Sequence, residues 1–191
     1  MTARPANIPR VADVVAEFRH ALAGATSSPQ SGVLELLLGL HENNALQWAC
    51  EDVSRRDDAD DRAVAAAKRE IDALNTKRHD FVEAIDAALA AVIDQSPSAL
   101  PTTESPGMVY DRLSVVVIRI ASTESAASAD RADRDAFAAR LPALHEQLVT
   151  LEAALEALFD DVQAGRKRFV PYRGFKLYEG SGPLGGDSRR D

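Results

Sequence analysis

Apolar residues recur with helical spacing over most of the chain, and proline, glycine and serine interrupt that spacing at defined points. Val11, Val14, Val15, Phe18 and Leu22 share one face of a first predicted helix, over about 10–23. A linker over 24–32, with Ser28 and Pro29 as a cap and first helical residue, separates it from a second helix over about 32–55. The third opens in the acidic run Asp57, Asp58, Asp60 and Asp61, where carboxylates stabilise the positive end of the helix dipole, and continues to about 94, stopped by Ser96, Pro97 and Ser98. Ser105 and Pro106 open a fourth helix reaching about 123. It is apolar nearly all round between 113 and 121 apart from Ser114 and Arg119, the pattern of a helix packed on several sides. The fifth, over about 129–162, carries Phe137, Leu141, Leu144, Leu148, Leu151, Leu155, Leu158 and Val162 at alternating spacings of four and three. Pro142 is expected to kink or divide it, and Gly165 to end it.

Composition agrees with an all-α reading. Alanine occurs 34 times in 191 residues and aromatics make up only 5%, a mixture that favours close-packed helices over sheets. The predicted organisation is a single helical bundle of about five main helices over 1–165, an irregular basic, aromatic strap packed on it over 166–179, and a disordered tail over 180–191. The lone Cys50 excludes an internal disulfide framework and a cysteine zinc cluster, and is expected to be a packed, inert thiol. No stretch approaches the length of a membrane span, and the first ten residues lack the apolar segment of a signal peptide, so a cytoplasmic protein is expected.

Charge is divided unevenly. The total is −8, yet residues 166–178 hold five basic side chains and no acid, leaving −13 on the rest. Phe169, Tyr172, Phe175 and Tyr178 recur every three residues through that basic stretch. Cations interleaved with rings suit nucleic acid, but so acidic a body repels a long polyanion. The preferred reading is therefore an intramolecular strap that brings Arg173 or Lys176 to the bundle; contact with a protein partner or a second copy is the alternative.

The candidate chemistry lies where polar residues interrupt apolar faces. The stripe beginning at Leu34 and Leu37 continues as His41, Asn44, Trp48, Glu51 and Arg55. On the third helix Arg78 sits in the middle of a stripe formed by Ile71, Leu74, Phe81, Ile85, Leu89 and Val92, flanked by Asp72, Asn75, His79 and Asp86. An unpaired buried guanidinium is costly, so Arg78 requires a carboxylate, a row of carbonyls or a route out to water along its stem; the two readings are a structural ion pair with Glu51, Asp52, Glu104 or Asp111, and an anionic ligand. Glu104, Ser105, Pro106 and Gly107 precede Asp111 and Arg112 at the start of the fourth helix, whose free N–H groups suit an anion or are simply neutralised by Glu104.

Four motifs in order, Asn44, Trp48, Glu51 and Asp52, then Ile71, Asp72, Leu74, Asn75, Arg78 and Asp80, then Glu104, Pro106, Gly107, Met108, Asp111, Arg112, Leu113 and Ser114, then Tyr172, Arg173, Phe175, Lys176 and Tyr178, resemble the bacterial family catalogued as domain of unknown function 4254, over about 34–179. The departures are Ser105 in place of threonine, Gly174 in place of glutamine, and Ala49 and Cys50 where a histidine often follows the tryptophan. That last change weakens any metal or acid–base role there. The resemblance implies an all-helical fold without an established activity, and a place in envelope glycan metabolism.

Other motifs carry less. The glycines at 180, 182 and 185 match a dinucleotide fingerprint by letter, but no strand precedes them and too few residues follow for a helix. A single Glu17, His20 pair falls short of a di-iron bundle, and no metal or cofactor is expected. The segment 70–86 is similar to the first helix of helical chorismate mutases, a likeness confined to one helix. The leading expectation is a buried polar pocket for a small anionic metabolite, a phosphorylated sugar or sugar nucleotide. Asn44, Trp48, Glu51, Asp52, Asp72, Asn75, Arg78, Glu104, Asp111, Arg112, Arg173 and Lys176 are its candidate binding residues, and His41 and His79 are the imidazoles suited to proton transfer. The rival is a non-catalytic accessory protein whose polar cluster is a structural ion-pair network.

Overall fold

The computed structural model describes residues 8–25, 32–56 and 60–174. They form helices α1 (Val11–Leu22), α2 (Val33–Ser54), α3 (Asp61–Val92), α4 (Pro106–Ser128), α5 (Arg134–Ala138) and α6 (Leu141–Gln163). The fold is an all-α bundle. Ser28, Pro29, Phe175, Lys176, Tyr178 and the expected disordered tail lie outside the described residues.

Several helix ends follow local chemistry. The Asp60 side chain accepts the Ala63 N–H at 2.7 Å to start α3, and Ser105 accepts from Met108 ahead of Pro106 to start α4. The first turn of α1 has no side-chain cap of its own; Glu156 of α6 takes the Val11 N–H at 2.7 Å instead. Gly165, at a φ of +70°, lets the chain leave α6.

The helix expected over 129–162 is two. α4 runs on to Ser128, a short α5 follows, and Pro142 stands in the first turn of α6, where its missing N–H breaks no hydrogen bond.

Helix α4 lies at the centre, packed against α1, α2, α3, α5 and α6. Its Tyr110, Leu113, Val116 and Val117 are buried with Val14 and Phe18 of α1, Leu37 and Leu40 of α2, Ile85 and Leu89 of α3, and Leu148, Leu155 and Phe159 of α6. Burying each such side chain stabilises the fold by about 1.5–3 kcal/mol. On α3 the buried face differs from the expected stripe: Val82 and Asp86 are buried, Phe81 is half-buried and Val92 is exposed.

Beyond α6 the chain turns back along the bundle. A two-residue strand β2 (Lys167–Arg168) pairs in parallel with β1 (Leu100–Pro101), with Leu100 opposite Lys167. A pair this short has no periodicity for a sequence to display. Phe169 is buried and its N–H donates to Gln95 Oε1 at 2.8 Å. Farther along, Arg173 meets Glu83 of α3 at 2.7 Å. No helix among the described residues is long and apolar enough to cross a membrane.

Candidate functional site

Asp86 organises the region where α3, α4 and the returning chain meet. It is fully buried, accepting the Gly107 N–H at 2.7 Å through one oxygen and the Tyr172 N–H at 2.9 Å through the other. Gly107 is required here: a Cβ would stand 2.8 Å from the Val82 carbonyl oxygen and 2.9 Å from Asp86 Oδ1. Burial pushes the Asp86 carboxyl above its usual range, against the opposing effect of hydrogen bonds from Ser105, Tyr172 and Gly107.

This joint holds Tyr172 over α3, where its hydroxyl hydrogen-bonds with His79 Nδ1 at 2.8 Å and the two rings stack at 5.6 Å. The pair borders a cavity of about 150 Å³ whose lining also includes Arg78, Glu104, Met108, Asp111 and Arg112. Arg112 and Glu104 are ion-paired with each other.

A second cavity of about 150 Å³ lies beside α2, lined by Asn44, Gln47, Trp48, Glu51, Arg78, Val115 and Arg119. Arg78 borders both. Asn44 links them as well, donating through Nδ2 to Asp111 Oδ1 at 2.9 Å and to Ser114 Oγ at 3.1 Å. Asn44 Oδ1 and Gln47 Oε1 are buried without a hydrogen-bond partner among the described residues. Glu51 is taken by Arg55 at 2.8 Å and Glu104 by Arg112, and no carboxylate of the described residues lies within ion-pair distance of the Arg78 or Arg119 guanidinium. Two cations from different helices therefore border one small cavity, and the one carboxylate in its lining, Glu51, is paired with Arg55 rather than with either of them.

The sequence-derived candidates thus divide. Asn44, Trp48, Glu51, Arg78, His79, Glu104, Asp111 and Arg112 line one or both cavities. Asp52 borders a larger open groove beyond Trp48. Asp72 is exposed and paired with Lys68 at 2.5 Å, Asn75 is half-buried on α3 and lines neither cavity, and Arg173 is held by Glu83 at the surface. Lys176 lies outside the described residues. Arg119, Gln47 and Tyr172 also line these cavities, and of the three Arg119 carries a signal in the sequence, its charge within an otherwise apolar helix.

His41 lines neither cavity. Its ring stacks on Phe18 at 4.3 Å and its Nδ1 shares a hydrogen bond of 2.8 Å with Ser114 Oγ. Burial lowers its pKa to about 4, the Phe18 backbone offsetting part of that shift, so the ring is neutral at physiological pH. Among the described residues no three His, Cys, Asp or Glu side chains converge as metal ligands.

Fold and site together define an all-helical protein with two adjoining polar cavities against its central helix. The chain belongs to the family described as protein of unknown function DUF4254, whose model matches residues 34–170. No curated protein and no solved structure matches it.

Proposed function

We propose that the adjoining cavities bind a small anionic metabolite of the phosphorylated-sugar class. The observation that carries this reading is the half-buried Arg78 beside the exposed Arg119, two guanidiniums on one cavity without a carboxylate partner among the described residues, Glu51 on the same wall being paired with Arg55. A planar guanidinium suits bidentate contact with phosphate, and a partly buried one gains most from an anion where no side chain supplies it. Together the two cavities stand at the low end of the ~300–1,000 Å³ typical of small-molecule sites, which favours a compact ligand.

The remaining groups suit a polyol. Asn44 and Gln47 place amide side chains on the cavity beside α2, Asp111 and the His79–Tyr172 pair lie on the far side of Arg78, and Trp48 offers the face of a ring to a sugar. His79 is the imidazole placed to exchange a proton with a bound hydroxyl, while neither serine, threonine nor cysteine lines the two cavities. The returning chain acts as a strap: through Tyr172 it closes the His79 side. A place in envelope glycan metabolism rests on the family resemblance alone.

The accessory-protein reading needs Arg78 within a structural ion-pair network, and the neighbouring carboxylates instead serve Arg55 and Arg112. A thermal-shift series with hexose phosphates and small carboxylates tests the proposal. Stabilisation that grows with ligand concentration is expected for the phosphates, and is lost in Arg78→Met. A flat response from well-folded protein sinks the binding reading.

A further inference from the structure

Trp48 and Arg119 each border two spaces: the small cavity shared with Arg78, and an open groove of about 1160 Å³ between α2, α4, α5 and α6. The three cavities follow one another along α4. Met108, Asp111 and Arg112 line the first, Val115 and Arg119 the second, Thr123 and Ala126 the groove. Phe137, Leu144 and Leu151 form an apolar stretch of its wall, among polar side chains that include Asp52, Glu146, Gln147 and Thr150. At its end the Arg131 and Arg140 guanidiniums stand 4.6 and 5.1 Å from the Phe137 ring centroid.

We propose that this row of cavities is one binding track for an organic diphosphate, its diphosphate held between Arg78 and Arg119 and its bulky ester group laid across Trp48 into the groove. The inference rests on the reading of the Arg78 cavity as an anion site and extends it to the class of ligand. Two guanidiniums on one small cavity, neither with a carboxylate partner among the described residues, match two linked phosphoryl groups better than one. A monoester of a small sugar leaves the neighbouring groove empty, whereas a larger substituent covers the stretch formed by Phe137, Leu144 and Leu151 and removes it from water. Two kinds of ester share this chemistry: a nucleoside, whose base stacks on Trp48, and a prenyl chain, which lies along Leu144 and Leu151.

Calorimetric titration of the full chain, with fluorescence of Trp48 as a second readout, tests the track. Inorganic diphosphate is the reference ligand, and uridine diphosphate glucose and farnesyl diphosphate are the two arms. Ala143→Trp fills the groove from an exposed position on α6. At least one ester is expected to bind about tenfold or more tightly than inorganic diphosphate, and to lose that advantage in Ala143→Trp while inorganic diphosphate binds as before. The arm that gains identifies the ester as nucleoside or prenyl. If inorganic diphosphate binds but neither ester gains, or the gain survives Ala143→Trp, the track is overturned and the anion site stands. If neither hexose phosphates nor any of the three diphosphates bind, both readings fall.

Discussion

Tyr172 donates its backbone N–H to Asp86 Oδ2 at 2.9 Å, while the other oxygen of the same buried carboxylate holds Gly107 at the start of α4. One side chain thereby joins α3, α4 and the segment that closes the His79 cavity. Asp86→Ala leaves two backbone donors without an acceptor, and stability is expected to fall by about 2–4 kcal/mol. Hydrogen exchange at Tyr172 is expected to quicken more than exchange in the middle of α4. An unchanged denaturation midpoint with Tyr172 still protected would show that the joint is held by something else.

The buried His41 imidazole sets a pH dependence. Its folded pKa is about 4 against 6.5 in the unfolded chain, so between those values the unfolded state binds the extra proton. Stability from this group is complete above pH 6.5 and is lost as pH falls towards 4, by about 3 kcal/mol over the window. Asp86 acts in the opposite sense. Its carboxyl is raised, so its contribution is greatest below the ordinary carboxylate range and is lost as pH rises through its folded pKa. His41→Phe keeps a ring against Phe18 and is expected to flatten the fall between pH 6.5 and 4 in urea titrations. A slope equal to that of the unsubstituted protein would assign the dependence to other groups.

Much of the bundle was legible because helix boundaries are written locally. Asp60, Ser105, Pro106 and Gly165 do at their helix ends what their chemistry dictates, and the nearly all-round apolar α4 is the central helix. Pro142 was legible as an interruption; that it opens a new helix depends on where the chain turns back. The site was legible in part. Arg78 and Asn44 stood out as polar residues on apolar faces, and both line the cavities. Asp86 was placed on a polar face, yet it is buried, because its partners are backbone N–H groups 21 and 86 residues away that no local period records. Residue type alone makes His41 a candidate for proton transfer, and only tertiary packing reveals the Phe18 ring against it. Arg119 was visible as an exception within α4, but its cavity exists only once Trp48 and Gln47 of α2 pack alongside.

The two tightly packed helical glycines differ in what surrounds them. A Cβ at Gly107 meets the Val82 carbonyl and a carboxylate already held by hydrogen bonds, whereas one at Gly39 meets the edge of the half-buried Phe81 ring, at 2.7 Å. A ring at the margin of the core swings aside more easily than backbone does. Gly107→Ala is therefore expected to destabilise by about 1–3 kcal/mol and Gly39→Ala by less than about 1 kcal/mol. Chemical denaturation of the two variants checks the order, and a reversed order would contradict the rigidity assigned to the Asp86 joint.

Arg78 offers the sharpest separation between a ligand site and a structural network. Removing one partner of a buried ion pair destabilises by about 3–5 kcal/mol, because the other charge is left uncompensated. Arg78 has no such partner among the described residues, since Glu51 serves Arg55 and Glu104 serves Arg112. Arg78→Met keeps the length of the stem and removes only the cation. Its stability without ligand is expected to stay within about 0.5 kcal/mol of the original, or to rise. Stabilisation by hexose phosphates should disappear in the same variant. Arg112→Met removes a guanidinium already committed to Glu104, so it should weaken phosphate binding much less. Unfolding of Arg78→Met in the absence of ligand would restore the network reading, and equal losses of binding in the two variants would move the anion to the cavity bordered by Tyr172.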